Sequence, residues 1–220
     1  MKKVFFSCKI IFMLGIVVTG GLAPPLDWVK CELERADILI AADSGLDTIL
    51  SYGYDPDFIV GDMDSLKNKQ ILENFEEGKI TLYPEDKDYT DTELAITSLY
   101  EKGCDSVTVI GGGGGRLDHL IAIYSLLFRE RAPSCWITDK EKVFLVNGIF
   151  CINLKINTLV SLFPVSSEVC RMTSCGLKWS LDNLLWQPGD VGISNVASDG
   201  RVEINMKSGK LAMIVPMDNK

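Results

Sequence analysis

The sequence predicts an α/β fold in which an N-terminal parallel sheet is followed by a C-terminal antiparallel β-sandwich. In the first two-thirds of the 220 residues, short apolar runs alternate with helical patterns, which is the rhythm of βαβ units. After about Asp139 the apolar runs become short and closely spaced, with turn signals such as Asn147-Gly148 between them. We therefore expect two domains, residues 1–140 and residues 141–220.

The parallel sheet is expected to contain six strands, most of which lack polar–apolar alternation because both of their faces are covered. The predicted strands are Ile16–Thr19, Asp37–Ala41, Phe58–Val60, Lys79–Tyr83, Val107–Ile110 and Cys135–Thr138. The helices predicted between them are Trp28–Arg35, Gly45–Tyr52, Leu66–Glu76, Asp91–Lys102 and Leu117–Arg129.

The second domain contains seven short apolar runs and no convincing helix, which is typical of an antiparallel sandwich or partial barrel. The predicted strands are Val143–Leu145, Phe150–Ile152, Leu159–Phe163, Val169–Met172, Val191–Ser194, Val202–Met206 and Leu211–Val215.

The N-terminus allows two interpretations. A pair of lysines precedes an apolar run from Val4 to Val18, which imitates a secretory signal peptide with a cleavage site around Thr19–Ala23. However, Lys9 interrupts the run, and the stretch Gly15–Gly21 is typical of a buried strand that enters a glycine turn. We therefore expect the first strand of the fold here.

Composition narrows the class of protein. A formal net charge of −8 argues against duplex DNA or RNA as a partner, because such binding needs clustered Lys and Arg, but it allows a small nucleotide. The seven cysteines show no CxxC spacing and the chain has one histidine, so no structural zinc site is expected. Reduced thiols in a cytoplasmic protein are expected. No later segment has the ~18 uninterrupted apolar residues of a membrane span.

Two acidic segments follow predicted strands, at the edge of a parallel sheet where ligands bind. Asp43 is a candidate metal ligand or ribose contact, and the alternative is that Asp43 or Ser44 caps the next helix. Asp62 and Asp64 repel each other unless a cation lies between them, and Mg²⁺ prefers such carboxylates. The alternative is a solvated turn in which Asp64 caps a helix.

A third segment leads into the helix predicted at Asp91. Thr90 and Glu93 form a capping-box pattern at its start. That pattern leaves Lys87 and Asp91 unexplained. Lys87 is a candidate phosphate contact, and Asp91 is a candidate metal ligand or a contact to an acceptor hydroxyl.

The fourth segment is the glycine run Gly111–Gly115, between an apolar strand and a helix. Glycines let the backbone approach a ligand and offer N–H donors, and the helix directs its positive end to the same place. Arg116 adds a charge-assisted donor, although a glycine run alone can be a flexible loop. His119, as a lone histidine, is expected to hydrogen-bond within the loop.

In order and spacing, the series DSG, GDxDS, KDxTDxExAI and GGxGGRxDH resembles thiamine pyrophosphokinase. The resemblance begins at about Ile16, continues into Gly176–Trp179 and Ser194-Asn195, and leaves the first fifteen residues outside. It implies a Rossmann-like nucleotide-binding domain, a thiamine-binding sandwich, and the reaction ATP + thiamine → AMP + thiamine diphosphate. It also implies a homodimer with the active site at the subunit interface.

The resemblance also implies roles for individual residues. The Mg²⁺ ligands would be Asp43, Asp62, Asp64 and Asp91. The ATP contacts would be Asp43, Thr90, Gly111, Gly112, Gly113, Gly114, Gly115, Arg116 and Asp118. The family varies at Lys87, so its contact with phosphate is a hypothesis from this sequence alone. The thiamine contacts would be Ser194, Asn195 and Asp91, and the catalytic residues would be Asp64, Asp91 and Arg116. Trp179 is expected in the core, with a place near thiamine as the alternative.

Three other functions fit parts of the sequence. A kinase for another small alcohol would use the same nucleotide machinery. A non-catalytic nucleotide sensor would need the glycine run but not four acidic ligands. A secreted carbohydrate or adhesion module would suit the N-terminus and the β-rich second half, but would leave the strand-end carboxylates unexplained.

Overall fold

The structure, a computed structural model, describes residues 12–217. The first eleven residues lie outside this range, and they include most of the signal-like run and Cys8. Among the described residues the strands form one sheet of ten strands and a second sheet of four strands. The α/β class with a later antiparallel part is confirmed.

The parallel part of the large sheet comprises the first six strands of the chain. They are β1 Leu14–Val18, β2 Ile38–Ala42, β3 Phe58–Gly61, β4 Ile80–Leu82, β5 Ser106–Ile110 and β6 Cys135–Ile137. Strand β1 lies in the middle, parallel to both β2 and β5. Its successive side chains point to opposite faces, so Val17 packs in one apolar layer while Ile16 and Val18 pack in the other.

Four α-helices lie among these strands, close to their predicted positions. They are α1 Leu26–Glu34, α2 Gly45–Ser51, α3 Asp91–Glu101 and α4 Leu117–Leu126. The predicted helix Leu66–Glu76 is wrong, because only two short 3₁₀ segments form, Lys69–Asn74 and Glu77–Lys79. No residue between Lys69 and Asn74 is fully buried, although Ile71 and Leu72 pack partly buried against the apolar layer that contains Ile16 and Val18.

The second half of the chain divides its strands between the two sheets. Its strands are β7 Glu141–Val146, β8 Ile149–Asn153, β9 Leu159–Pro164, β10 Cys170–Cys175, β11 Leu185–Trp186, β12 Gly192–Val196, β13 Arg201–Ser208 and β14 Leu211–Pro216. Only β11 was not predicted. The large sheet has the order β12-β9-β14-β7-β6-β5-β1-β2-β3-β4, and the second sheet has the order β11-β10-β13-β8. Strand β7 pairs antiparallel with β6, so the large sheet continues through the predicted boundary at residues 140 and 141.

The sandwich core lies between the two sheets. Leu162 of β9 and Met213 of β14 pack there with Val202 and Ile204 of β13, and all four are buried. Apolar residues of β13 alternate with exposed or half-buried polar ones, as expected for a sheet that buries one face. No helix between residues 12 and 217 is long and apolar enough to cross a membrane. The six cysteines in this range are free.

Candidate active site

A cavity of about 550 Å³ lies beyond the carboxyl ends of β1, β2 and β5. Ligands of open α/β sheets bind at this edge. Its walls come from the loop after β1, the start of α2, the start of α3, and the glycine run with α4. The predicted site residues that line it are Asp43, Thr90, Asp91, Gly112, Gly113, Gly114, Gly115 and Arg116.

Asp43, Asp62 and Asp64 lie after β2 and β3, at what we call the acidic edge of the sheet. Two residues there have left-handed backbone conformations although they are not glycine. Asp43, after β2, has φ 48°, and Met63, between two aspartates, has φ 60°. Such conformations are uncommon for L-residues and persist where the surrounding structure enforces them. Here the Asp43 N–H bonds to the Val60 carbonyl, which ties the end of β2 to β3. The helix-cap alternative for Asp43 is not supported, because Ser44 is the residue before α2.

Three of the four predicted metal ligands come together. One carboxylate oxygen from each of Asp43, Asp62 and Asp64 lies within 4.8 Å of the other two. The buried Oδ1 atoms of Asp43 and Asp91 have no hydrogen-bond partner among the described residues. Clustered carboxylates with unpartnered oxygens are a donor set that suits Mg²⁺, so the residues fit a divalent cation. Asp91 is not part of this group of three.

Lys87 connects Asp91 to the group. Its Nζ donates to Asp62 Oδ2 at 2.7 Å and lies 3.3 Å from Asp91 Oδ1. It also donates to the Pro84 carbonyl at 2.9 Å, and its side chain is 11% exposed. The ammonium therefore lies among the carboxylates rather than at the mouth of the cavity.

The charges of this cluster shift its pKa values in opposite directions. The hydrogen bond from Lys87 lowers the pKa of Asp62 below its usual value, against the effect of burial. Burial raises the pKa of Asp91, although the nearby Lys87 charge opposes this. Burial alone would lower the pKa of Lys87, but the bond to Asp62 and the charge of Asp91 outweigh it, so this pKa is raised.

The start of α3 is fixed as the capping pattern predicts. Thr90 Oγ1 accepts from the Glu93 N–H at 3.2 Å. One residue into the helix, the buried Thr92 hydroxyl bonds to the Thr19 hydroxyl at 2.7 Å. This contact ties the start of α3 to the loop after β1, and Thr90 lines the cavity beside it.

The glycine run crosses over the loop after β1. The N–H groups of Gly111, Gly112 and Gly113 donate to the carbonyls of Ile137, Gly20 and Leu22. They are therefore not free for a ligand, which reduces the number of N–H donors that the run offers. Among the described residues, only the N–H groups of Gly114 and Gly115 have no backbone partner within this run. Both residues have positive φ, 61° and 73°.

Arg116 and Asp118 form an ion pair at the rim of the cavity. Arg116 Nε donates to Asp118 Oδ1 at 3.1 Å and Nη2 donates to Oδ2 at 2.5 Å. Both side chains are exposed, so the pair adds little to stability and the guanidinium can exchange partners. His119 is exposed and lines the cavity, and its ring makes no hydrogen bond in the described part of the chain. The hydrogen bond expected of His119 is made by its backbone N–H, which donates to Asp118 Oδ1 at 3.1 Å, and not by its ring.

Of the residues predicted for the second substrate, Asp91 lines this cavity, whereas Ser194 and Asn195 do not. Ser194 and Asn195 lie on β12, at the far edge of the large sheet. Strand β12 is five strands from β5, about 24 Å at the usual strand spacing. Trp179 is 54% exposed, so the expectation of a core tryptophan is wrong. Asn195 is buried, and its amide bonds to the backbone of Trp179 on both sides.

Several residues of the cavity wall were missed. The loop Thr19–Leu22 contributes four of them, and Ser44 and Ser65 contribute two more. The available signal was the pair Gly20-Gly21 directly after a buried central strand, the same pattern that made Gly111–Gly115 a candidate. From the sequence, Gly20-Gly21 is predicted only as a turn or as part of a cleavage site.

Comparison with known proteins identifies the family. The model of the thiamin pyrophosphokinase catalytic domain matches residues 29–138, and that of the thiamin pyrophosphokinase vitamin B1 binding domain matches residues 150–211. A thiamine pyrophosphokinase of Bacillus subtilis is 30% identical over 210 residues, covering 92% of this chain and 98% of the relative. One from Caenorhabditis elegans is 27% identical, covering 84% of this chain and 82% of the relative.

Solved structures show the same fold. Thiamine pyrophosphokinase of Bacillus subtilis aligns with a TM-score of 0.77 at 25% identity, covering 93% of this chain and 99% of the other. A family protein from Enterococcus faecalis aligns with a TM-score of 0.76 at 22% identity, with the same coverage. Both family models together span most of the chain. The chain therefore belongs to the thiamin pyrophosphokinase family of enzymes.

Proposed function

We propose that this protein transfers the pyrophosphoryl group of ATP to the hydroxyl of thiamine, in a Mg²⁺-dependent reaction that gives thiamine diphosphate and AMP. One structural observation carries the proposal beyond the family assignment. Asp43, Asp62 and Asp64 form a carboxylate group with an unpartnered buried oxygen, and Asp43 also lines the cavity of the glycine run. A metal–triphosphate complex needs both features in one place.

In this proposal the nucleotide lies in the cavity, with its phosphates toward the acidic edge. The free N–H groups of Gly114 and Gly115 and the positive end of α4 bind phosphate oxygens. Arg116 releases Asp118 and contacts the phosphates as charge develops on them. Thr90 lies beside them at the start of α3.

Asp43, Asp62 and Asp64 would hold the metal, with Asp91 as the fourth acidic residue at its edge. Bound Mg²⁺ neutralises the charge on the triphosphate and aligns it. Asp91, whose buried Oδ1 lies 3.3 Å from the Lys87 ammonium, accepts a hydrogen bond from the thiamine hydroxyl and orients it toward the β-phosphorus. Alignment and charge neutralisation carry the catalysis, since a loose phosphoryl transition state needs little covalent help.

The thiamine side of the proposal requires a homodimer. Ser194 and Asn195 of one chain lie too far from its own cavity to contact a substrate there. Two apolar surfaces are available for pairing. Leu117 and Ile121 on α4 are each more than half exposed beside the cavity, and so are Val191 and Ile193 at β12. A two-fold dimer that joins these surfaces would bring β12 of one subunit to the cavity of the other.

The main competing function is a kinase for another small alcohol, which would release ADP instead of AMP. Incubation of the protein with ATP, Mg²⁺ and thiamine, followed by chromatographic separation, distinguishes the two. We expect AMP and thiamine diphosphate in equal amounts, with no AMP when EDTA replaces Mg²⁺. ADP formation, or AMP formation that does not depend on thiamine, would contradict the proposal.

The six free cysteines of the described residues support a cytoplasmic location as part of the same proposal.

A further inference from the structure

Lys87 lies where it competes with a metal for carboxylate oxygens. Asp62 has both oxygens engaged within the chain: Oδ2 accepts from Lys87 Nζ at 2.7 Å and Oδ1 accepts from the Asp64 N–H at 3.2 Å. In contrast, one buried oxygen of Asp43 has no donor among the described residues, and the buried Oδ1 of Asp91 has only the longer ion-pair contact with Lys87, at 3.3 Å. The cluster therefore has one internal cation, bound to the aspartate that also belongs to the group of three possible ligands.

The position of Lys87 is defined by its neighbours. Its ammonium also donates to the Pro84 carbonyl at 2.9 Å and lies 3.3 Å from Asp91, the first residue of α3. Lys87 contacts two of the four carboxylates, Asp62 and Asp91, so the cluster keeps an excess of negative charge when Lys87 is in place. A divalent cation that takes Asp62 as a ligand meets this ammonium as a like charge a few ångströms away, which opposes binding.

We propose that Lys87 is a displaceable internal counter-ion, which stabilises the carboxylate cluster without metal and weakens metal binding until a nucleotide arrives. The inference rests on the proposed function, because it assumes that the group of three aspartates binds Mg²⁺. Displacement frees the ammonium to contact the phosphates that the metal carries. Lys87 is then a positioning residue that couples tight metal binding to the presence of the triphosphate.

The test measures metal binding without nucleotide. Mn²⁺ replaces Mg²⁺, since it accepts the same oxygen ligands, and electron paramagnetic resonance measures the free ion. The variants are Lys87→Met and Lys87→Gln, with Lys142→Met as the matched control. Lys142 forms a 2.7 Å ion pair with Glu32 away from the cluster, so its substitution removes the same charge and a similar contact.

We expect both Lys87 variants to bind Mn²⁺ at least about tenfold more tightly than the native protein and the control, because a like charge has gone. In EDTA the Lys87 variants should melt at a lower temperature than the native protein, and Mg²⁺ should raise their Tm by more. Gln keeps a donor for Asp62, so it provides a folded variant if Met is too destabilising.

Unchanged or weaker Mn²⁺ binding by both Lys87 variants would overturn the inference, as would equal tightening in Lys142→Met. Failure of the proposed function gives a different result. In that case the native protein forms no AMP from ATP, Mg²⁺ and thiamine, whatever the Lys87 variants bind.

Discussion

The amide of Asn195 holds the backbone of Trp179 at two points. Its Oδ1 accepts from the Trp179 N–H at 3.1 Å, and its Nδ2 donates to the Trp179 carbonyl at 2.8 Å. Asn195 is 6% exposed, whereas the indole of Trp179 is largely in solvent. The buried amide therefore fixes a loop whose aromatic side chain is available to a ligand or to a second subunit.

We expect Asn195→Ala to lower the free energy of unfolding by about 1–3 kcal/mol, because two backbone groups lose their buried partner. In the proposed dimer it should also raise KM for thiamine more than KM for ATP, since the displaced loop lies on the thiamine side. Urea denaturation and steady-state kinetics measure the two effects. Asn153→Ala, at an exposed position on β8, is the control. A folded Asn195→Ala with native KM for thiamine would remove this loop from the site.

Gly61 has no side chain, and this leaves room for Asp43 and Asp91 to lie close to its backbone at the acidic edge. A Cβ at this position would lie 3.2 Å from Asp91 Oδ1 and 3.3 Å from the Asp43 Cα, and φ is +147°. We expect Gly61→Ala to cost about 1–3 kcal/mol of stability through backbone strain, and to impair metal-dependent turnover. Gly78→Ala, where an added Cβ meets nothing within 4 Å, should change stability by less than about 0.5 kcal/mol. Thermal denaturation compares the two, and equal effects would show that the close approach is unimportant.

Asp91→Asn separates catalysis from folding. The variant loses the carboxylate that orients the hydroxyl, so kcat should fall by at least about 100-fold, the lower range for a lost general base or positioning group. Its fold should persist, because burial already disfavours the charged form of Asp91. Circular dichroism checks the fold and the AMP assay checks turnover. Near-normal turnover in a folded Asp91→Asn protein would exclude Asp91 from the mechanism.

Asp62 and Asp91 should give opposite pH dependences of stability in metal-free buffer. The pKa of Asp91 is raised from 3.8, so its contribution is most favourable below that pH and is lost as pH rises through the folded value. The pKa of Asp62 is lowered from 3.8, so its contribution is present above that pH and is lost on further acidification.

The native protein should therefore become less stable relative to Asp91→Asn as pH rises from about 4. Relative to Asp62→Asn, its advantage should hold constant above that pH and decrease below it. Denaturant unfolding from about pH 2.5 to about pH 7 with EDTA measures both differences. If the stability difference between the native protein and each variant changed with pH in the same direction for both variants, the assigned pKa shifts would be contradicted.

Single charges should disrupt the proposed dimer. Ile121→Asp on α4 and Ile193→Asp on β12 each place a carboxylate on an exposed apolar surface. Both should sediment as monomers and lose thiamine-dependent turnover, because the two halves of the site separate. Ile156→Asp, at another exposed position, should remain a dimer. Sedimentation velocity that shows a native dimer in both variants would place the interface elsewhere.

Much of the fold could be predicted from the sequence because its strands are short buried runs bounded by turns. The strand centred on Ile16 was predicted, and its neighbours confirm its central place. The helix predicted at Leu66–Glu76 did not form, although Ile71 and Leu72 pack against the apolar layer that contains Ile16. Partly buried apolar residues can pack from short 3₁₀ turns as well as from an α-helix, and the apolar pattern does not distinguish the two. Strand β11 is two residues long and gives no periodic pattern.

The acidic site could be anticipated because parallel strands end at one edge, so Asp43 and Asp62 meet although they are distant in sequence. In contrast, the sequence could not show which N–H groups of the glycine run are bonded to other parts of the backbone. Gly112 and Gly113 donate to the loop after β1, and no local signal reveals a partner ninety residues away. Likewise, the burial of Asn195 and the exposure of Trp179 depend on how β12 meets the neighbouring loop.

The antiparallel pairing of β6 with β7 has a consequence for how the enzyme could be divided. A cut in the turn between Ile137 and Glu141 would split one hydrogen-bond ladder, exposing an unpaired edge on each fragment. Such bare edges invite association with other chains. The two halves would then be expected to aggregate when produced apart and to recover solubility only when produced together.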